Sequence, residues 1–222
     1  MLFLTLEIPT ATWRKPGSTL FIESVKPIPN LSTCYGFLLS LIGEENPLIH
    51  RGAALTVGVI KAGRSNIILT KRHKYKDPNE NFGEGRNISL CQKEILLGNE
   101  LFLVLDHGKQ DVSFSLETKV RKLAENNWEG SHRFGSLYLG ESTNIVNSVD
   151  VVSEIPEGCS ILLNRNSNRN FENEYSIFST VIWPGYRSSS EEHNTFAHKK
   201  VAYGILEKNV KTINQDDLFI IE

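Results

Sequence analysis

The sequence predicts an α+β fold: a ferredoxin-like β-α-β-β-α-β core with a β-rich C-terminal part. Three observations predict it. Alternating or wholly apolar runs at 2–8, 55–61 and 101–105 carry the signature of strands. Two segments, 31–43 and 115–128, space their apolar residues by three and four, as amphipathic helices do. The order is strand, helix, two strands, helix, then further short strands, which matches the split βαβ arrangement.

The elements follow in chain order. Leu2 to Ile8 reads as the first strand, and Thr10 to Thr19, with Trp13-Arg14-Lys15-Pro16-Gly17, as a loop. In KPIPNLSTCYGFLLSLIGE, Asn30, Ser32 and Thr33 are N-cap types, Cys34, Phe37, Leu38, Leu41 and Ile42 form one stripe, and Gly43 suits the C-cap. Leu55–Lys61 and Asn66–Thr70 read as strands joined by the turn-prone Ala62-Gly63-Arg64-Ser65. Lys71 to Cys91 is polar and almost without core residues, as in a functional loop or a protruding hairpin. Structure resumes at Glu94–Leu97, a Gly98-Asn99 turn, and Leu101–Leu105, whose unbroken apolar run suits a strand buried on both faces. Ser115 caps the second helix and Glu117 sits in its first turn, where the helix dipole favours an acid. Beyond it, LYLG, NIVNSVDVV, IFSTVIW, VAYGIL and LFIIE read as short strands, with an asparagine-rich loop at 164–175.

Bulk properties narrow the function. A chain of 222 residues that is 40% hydrophobic and 23% charged has an ordinary globular composition and length enough for one large domain or two small ones. The opening MLFLTLEI lacks a basic start and contains Glu7, so it is not read as a secretion signal. No run approaches the ~20 apolar residues of a membrane span. Cys34, Cys91 and Cys159 are scattered and form no CxxC pair, which points to a reduced, cytoplasmic protein. A net charge of −2 weighs against a freestanding, non-specific nucleic-acid binder and still leaves room for a local basic track.

Such a track is visible. Lys61, Arg64, Lys71, Arg72, Lys74 and Lys76, with His73, occur before any acid intervenes at Asp77, and Tyr75 and Phe82 are close by. Cations along a hairpin can follow a phosphodiester backbone while an aromatic stacks on an unpaired base. The competing reading is a solvated hairpin with edge lysines. Trp13 beside Arg14 and Lys15 is either a stacking platform or a side chain folded back onto the core. The start of the first helix, with Ser32, Thr33 and Tyr35, is either a plain cap or a phosphate seat built on exposed N–H groups. No histidine lies in a metal spacing, and GxSxG, P-loop and GxGxxG motifs are missing, so no metal or cofactor is expected. A metal-free ribonuclease needs only a base, an acid and a cation, which His73, Tyr35 and the neighbouring Arg72 and Lys74 offer in principle.

The segments LFLTLEIP, TATWRKPGS, PIPNLSTCYGFLLSLIGE, CQKEILLGNELFLVL and GSLYLGESTNIVNSVDVV resemble the Cas five family, subunits of type I CRISPR effector (Cascade) complexes, in their type I-B-like form. The helix start and the LYLGES segment carry most of the specificity. The chain departs from the family pattern at Ile28-Pro29-Asn30-Leu31, where consecutive prolines are common.

The resemblance implies an RRM-like, repeat-associated (RAMP) domain over 1–128, with a thumb-like insertion at 71–92 and a β-rich region over 129–222 packed on it. It implies a subunit that grips the 5′ handle of the guide crRNA and caps the backbone filament. Its partners would be Cas seven backbone subunits, a Cas eight-type large subunit and target DNA near the PAM, in effectors serving either interference or RNA-guided transposition. The expected RNA contacts are Trp13, Arg14, Lys15, Ser32, Thr33, Tyr35, Arg64, Lys71, Arg72, His73, Lys74, Tyr75, Lys76 and Arg86. Some relatives cut repeat RNA with a Tyr, a Lys and a His. No secure Lys–His pair can be placed here, so a non-catalytic binder is expected. The alternatives are a metal-independent endoribonuclease and an interaction module that binds no RNA.

Overall fold

A computed structural model describes residues 1–15, 22–73, 77–82, 84–129, 137–171, 174–183 and 200–221. Among them, no helix is long and apolar enough to cross a membrane. The strands are β1 (Leu2–Ala11), β2 (Ile22–Glu23), β3 (Ala54–Lys61), β4 (Arg64–His73), β5 (Ile88–Asp106), β6 (Ser148–Val152), β7 (Ser160–Asn164), β8 (Tyr175–Trp183), β9 (Lys200–Glu207) and β10 (Phe219–Ile220). The α-helices are α1 (Leu31–Ile42) and α2 (Leu116–Glu125).

One sheet runs β6-β1-β5-β3-β7-β9-β8, with antiparallel neighbours throughout. Strands from the C-terminal part extend it at both edges. Both helices pack on one face. There Phe37, Leu38 and Leu41 of α1 and Leu116 and Val120 of α2 meet Leu4 and Leu6, Leu55 and Val57, and Leu103 and Leu105. On the other face Phe102 and Val104 meet Cys159, Ile161, Leu163, Val210 and Leu218. The all-apolar run 101–105 is therefore a central strand feeding two cores, as its lack of alternation predicts.

The helices sit where their periodicity places them. α1 ends at Gly43, whose φ of 69° closes a left-handed C-cap. Ser115 caps α2 by accepting from the Thr118 backbone N–H.

Two expectations need correction, and one strand was not expected. Glu94–Leu97 and Leu101–Leu105 are not two strands about a turn but parts of β5, one strand of 19 residues. Gly98 takes a φ of 73° within the strand, and Asn99 fastens the kink by donating to the carbonyls of Ile8 and Leu96 and accepting from the Gly63 N–H. LYLG is not a strand; it contributes a single bridge, Tyr138 to Ile145. The strand β7 went unread, because Ile161-Leu162-Leu163 is short and borders the asparagine-rich stretch.

Beyond Gly98, β5 leaves the main sheet's centre and pairs with β4 from Arg64↔Leu97 to His73↔Ile88. Together they form a two-stranded arm. β2 joins the arm's other side through Ile22↔Gln92 and Glu23↔Lys93. The protruding hairpin expected at 71–91 is thus the outer part of a longer arm rooted at Arg64.

Candidate nucleic-acid interface

The two most distinctive sequence segments meet in space. After β1 the chain turns at Thr12 and Trp13, and the segment 137–146 folds over it. Trp13 Nε1 donates to the Leu139 carbonyl at 3.0 Å, and the Thr12 hydroxyl donates to Asn144 Oδ1 at 2.9 Å. Asn144 closes the loop by donating to the same Leu139 carbonyl. A Cβ on Gly140 would lie 3.2 Å from Thr33 Cγ2, so the loop also seats against the first turn of α1.

These contacts correct two expectations. Trp13 is 5% exposed and hydrogen-bonded into the core, so it is not a surface stacking platform. Tyr35 is fully buried; its hydroxyl donates to the Pro47 carbonyl at 2.6 Å and its ring packs 6.3 Å from that of Trp183. Neither ring faces a solvent-borne ligand.

The start of α1 is also more closed than the sequence suggested. The Leu31 N–H donates to the buried Thr180 hydroxyl of β8 at 3.0 Å, and the Thr33 and Cys34 N–H groups return to the Asn30 carbonyl. Asn30 does not cap with its side chain; its Oδ1 accepts from Lys26 Nζ and from the Val181 N–H. Ser32 and Thr33 are half-buried. An anion approaching here meets side chains rather than a bare row of helix N–H groups.

Those side chains form a bowl of about 400 Å³ beside the helix start, lined by Arg14, Lys15, Lys26 and Asn30 and by Ser179, Thr180, Val181, Val201 and Tyr203. Tyr203 is 60% exposed on β9, directly opposite Ser179 in the β8–β9 ladder. Two exposed cations, Arg14 and Lys15, a third, Lys26, that is buried with its ammonium on Asn30, hydroxyls and an open aromatic ring give the bowl the parts to hold a phosphate and stack a base. Sequence reading found Arg14 and Lys15 but missed Lys26 and Tyr203. Tyr203 sits in a run that reads simply as strand, and only the pairing of β8 with β9 carries it to the helix start.

From the bowl, an ion chain runs to the arm. Glu141 accepts from Arg14 at 2.9 Å, from Lys93 at 2.8 Å and from the Thr12 hydroxyl at 3.0 Å. Glu23, buried on β2, binds Arg72 of β4 at 2.6 Å and lies 3.7 Å from Arg14 Nε. Burial pushes the Glu141 carboxyl up. The bond and charge of Lys93, the Thr12 hydroxyl and the Arg14 charge together reverse that, so it ends below the usual carboxylate range. The Glu23 bond raises the Arg72 guanidinium further above its ordinary value.

Along the arm, Arg64 and Lys71 are exposed, Arg86 is exposed with Asp77 at 3.5 Å, and the His73 ring lies 5.4 Å from that of Phe82. Lys74, Tyr75 and Lys76 lie outside the described residues. Paired residues share a face, so Ile67, Leu69, Lys71 and Leu90 stand on one side of the arm, and Thr70, Arg72 and Lys93 on the other. Ile67 and Leu69, 71% and 66% exposed, leave the first side strongly apolar.

Two other places are less suited to an anion. A cavity of about 440 Å³ is lined by Asp106, Asp216, Lys109 and the amides of Asn164, Asn166, Asn168 and Gln215; its two carboxylates oppose a phosphate. Asp106, His107 and Glu117 stand close enough to share a metal, yet the group already carries cations: the Met1 ammonium lies 3.1 Å from Asp106, and Arg121 lies 2.5 Å from Glu117. Burial pushes the Cys34 and Cys159 thiols up to about 12, so neither is a thiolate near neutral pH.

Comparison with known proteins bears on the family and the fold. No protein-family model matches the chain. It is 32% identical over 167 residues to the CRISPR-associated protein Cas5 of Myxococcus xanthus (strain DK1622), covering 73% of this chain and 77% of that protein. Among solved structures, a chain of a CRISPR RNA-guided surveillance complex superposes with a TM-score of 0.55 at 12% identity, over 95% of this chain and 91% of the other. At that identity the likeness is one of fold.

Proposed function

The chain belongs to the Cas5 family of CRISPR-associated proteins, and from that membership we propose that it is a non-catalytic RNA-binding subunit of a type I effector (Cascade) complex. In this reading it holds the 5′ handle of the guide crRNA and caps the backbone filament. The sheet order β6-β1-β5-β3 with both helices on one face supports a ferredoxin-like, RRM-like core, and the β4–β5 arm supports a thumb.

The observation that carries the reading is the bowl at the start of α1, whose lining Arg14, Lys15 and Lys26 share with the exposed Tyr203. An unpaired base stacked on such a ring contributes about 1–3 kcal/mol whatever its identity, while the cations take the adjoining phosphates. The exposed Ile67, Leu69 and Leu90 support a protein contact by the arm, since apolar surface of this kind marks interfaces. Cas seven backbone subunits and a Cas eight-type large subunit are the partners proposed, with target DNA near the PAM within reach and the cytoplasm as the compartment. The burial of Tyr35, with its hydroxyl committed to Pro47, supports binding over repeat cleavage.

Purified protein incubated with its own repeat RNA is expected to bind without cutting. Affinity falls with salt, each neutralised phosphate adding about −0.7 to the log–log slope for a single strand. Replacing Arg14, Lys15 and Lys26 together with Gln makes that slope shallower by about 2, corresponding to about three lost contacts. A flat salt response overturns the RNA reading. Specific cleavage abolished by His73→Ala overturns the non-catalytic one in favour of a metal-independent endoribonuclease.

A further inference from the structure

We propose that Glu23 and Glu141 are positioning residues for the nucleic acid: two acids that strengthen the binding of a polyanion by fixing the cations that touch it. The inference rests on the RNA-binding reading above and goes beyond it, because simple electrostatics assigns these residues the opposite sign.

The ion chain Arg72–Glu23–Arg14–Glu141–Lys93 joins five segments: β4, β2, the loop after β1, the loop 137–146 and β5. Three cations against two carboxylates leave one net positive charge. Each carboxylate serves two cations. Glu141 gives one oxygen to Arg14 and the other to Lys93 and Thr12, while Glu23 gives Oε1 to Arg72 and turns Oε2 toward Arg14. That Oε2 is buried and makes no hydrogen bond among the described residues, and the Arg14 guanidinium, with Nε 3.7 Å away, is the cation that faces it there.

A guanidinium carries five N–H donors in a rigid fork. Among the described residues Nε and Nη2 of Arg14 face the two acids, and on its half-exposed side chain Nη1 makes no contact with either of them. Arg14 lines the bowl, whereas Arg72 stands on the arm. The two acids therefore set the spacing between the bowl's cations and the arm's. They remove the rotamer freedom that long cationic side chains would otherwise lose on meeting RNA.

The test is equilibrium binding of the full chain to its repeat RNA across a salt series, comparing wild type with Glu141→Gln, Glu23→Gln and Asp150→Asn. All three variants remove one negative charge, and Asp150 is exposed on β6 at the opposite edge of the sheet from β8. Positioning predicts binding about three- to tenfold weaker for Glu141→Gln, with a shallower salt slope, in protein that remains folded at the assay temperature. Asp150→Asn stays level with wild type or tightens slightly. Should Glu23→Gln fail to fold because Glu23 is buried, the half-exposed Glu141 decides the question. If Glu141→Gln binds as tightly as Asp150→Asn or tighter, the acids only stabilise the fold and the proposal is overturned while the RNA reading stands. If wild type shows no salt-dependent binding, the RNA reading fails and this proposal with it.

Discussion

Trp13, Tyr35 and Tyr203 are three aromatics whose roles the linear sequence assigns poorly, for a shared reason. Trp13 stands beside Arg14 and Lys15 in sequence, yet its indole partner, Leu139, is 126 positions away. Tyr35 lies in a helix turn rich in hydroxyls, but its place in the 3.6-residue repeat turns it into the core beside Trp183. Tyr203 gave no local signal. The cations Arg14 and Lys15 were legible because they stand together in one loop of the sequence; Lys26 and the aromatics were not, because sharing a site and being exposed are properties of the tertiary fold. His50 makes a separate prediction at this scale. It is fully buried, its Nδ1 takes the Gln110 amide, and its Nε2 has no hydrogen-bond partner among the described residues. Burial, then the charge of Lys119, lowers its pKa from 6.5 to about 4, against a smaller upward pull from Glu44. The unfolded chain therefore binds a proton that the folded one refuses between those values. The contribution is complete above pH 6.5, is lost as pH falls toward 4, and declines no further below. Urea unfolding at pH 7 and pH 5 is expected to show wild type losing roughly 2 kcal/mol more than His50→Phe. Equal losses in the two proteins would remove His50 as the cause.

At the scale of elements, the register explains both what was legible and what was not. Along β1 the inward residues are Leu2, Leu4, Leu6 and Ile8, and then Ala11; along β5 they are Leu96, and then Leu101, Leu103 and Leu105. The inward set changes parity where Pro9 stands opposite Gly98, between the Ile8↔Asn99 and Thr10↔Leu97 pairs. A strict two-residue alternation cannot pass such a kink, so the sequence reads as two strands and a turn where the backbone runs on. The helices have no such interruption, and their stripes, the Gly43 C-cap of α1 and the Ser115 N-cap of α2 were readable directly. The start of α1 carries a stability prediction. Thr180 is buried and accepts the Leu31 N–H, so Thr180→Val keeps the volume but leaves that donor without its partner. The expected cost is about 1–2 kcal/mol, read as a lower urea midpoint with an unchanged m-value. No loss would mean that another group takes the N–H.

For the whole molecule, a single sheet separates two cores, and its C-terminal strands do more than cover it. β8 brings Ser179, Thr180 and Val181 to the helix start, and β9 brings Val201 and Tyr203. A β-rich C-terminal part was legible in the sequence, but not its delivery of half the bowl, because that depends on which strands pair across the chain. The net charge of −2 is compatible with a polyanion partner because local patches rather than the total set the electrostatic footprint, and Arg14, Lys15 and Lys26 line one bowl while Arg64, Lys71 and Arg72 lie on the arm. The central claim is that guide RNA lies in this bowl, and photo-crosslinking of the full chain to its repeat RNA, read by mass spectrometry, tests it most directly. The account predicts adducts on Tyr203 and on Lys15 or Lys26, lost in competition with unlabelled repeat RNA. Adducts confined to other surfaces, such as the 440 Å³ cavity around Lys109, with none on the bowl, would contradict it.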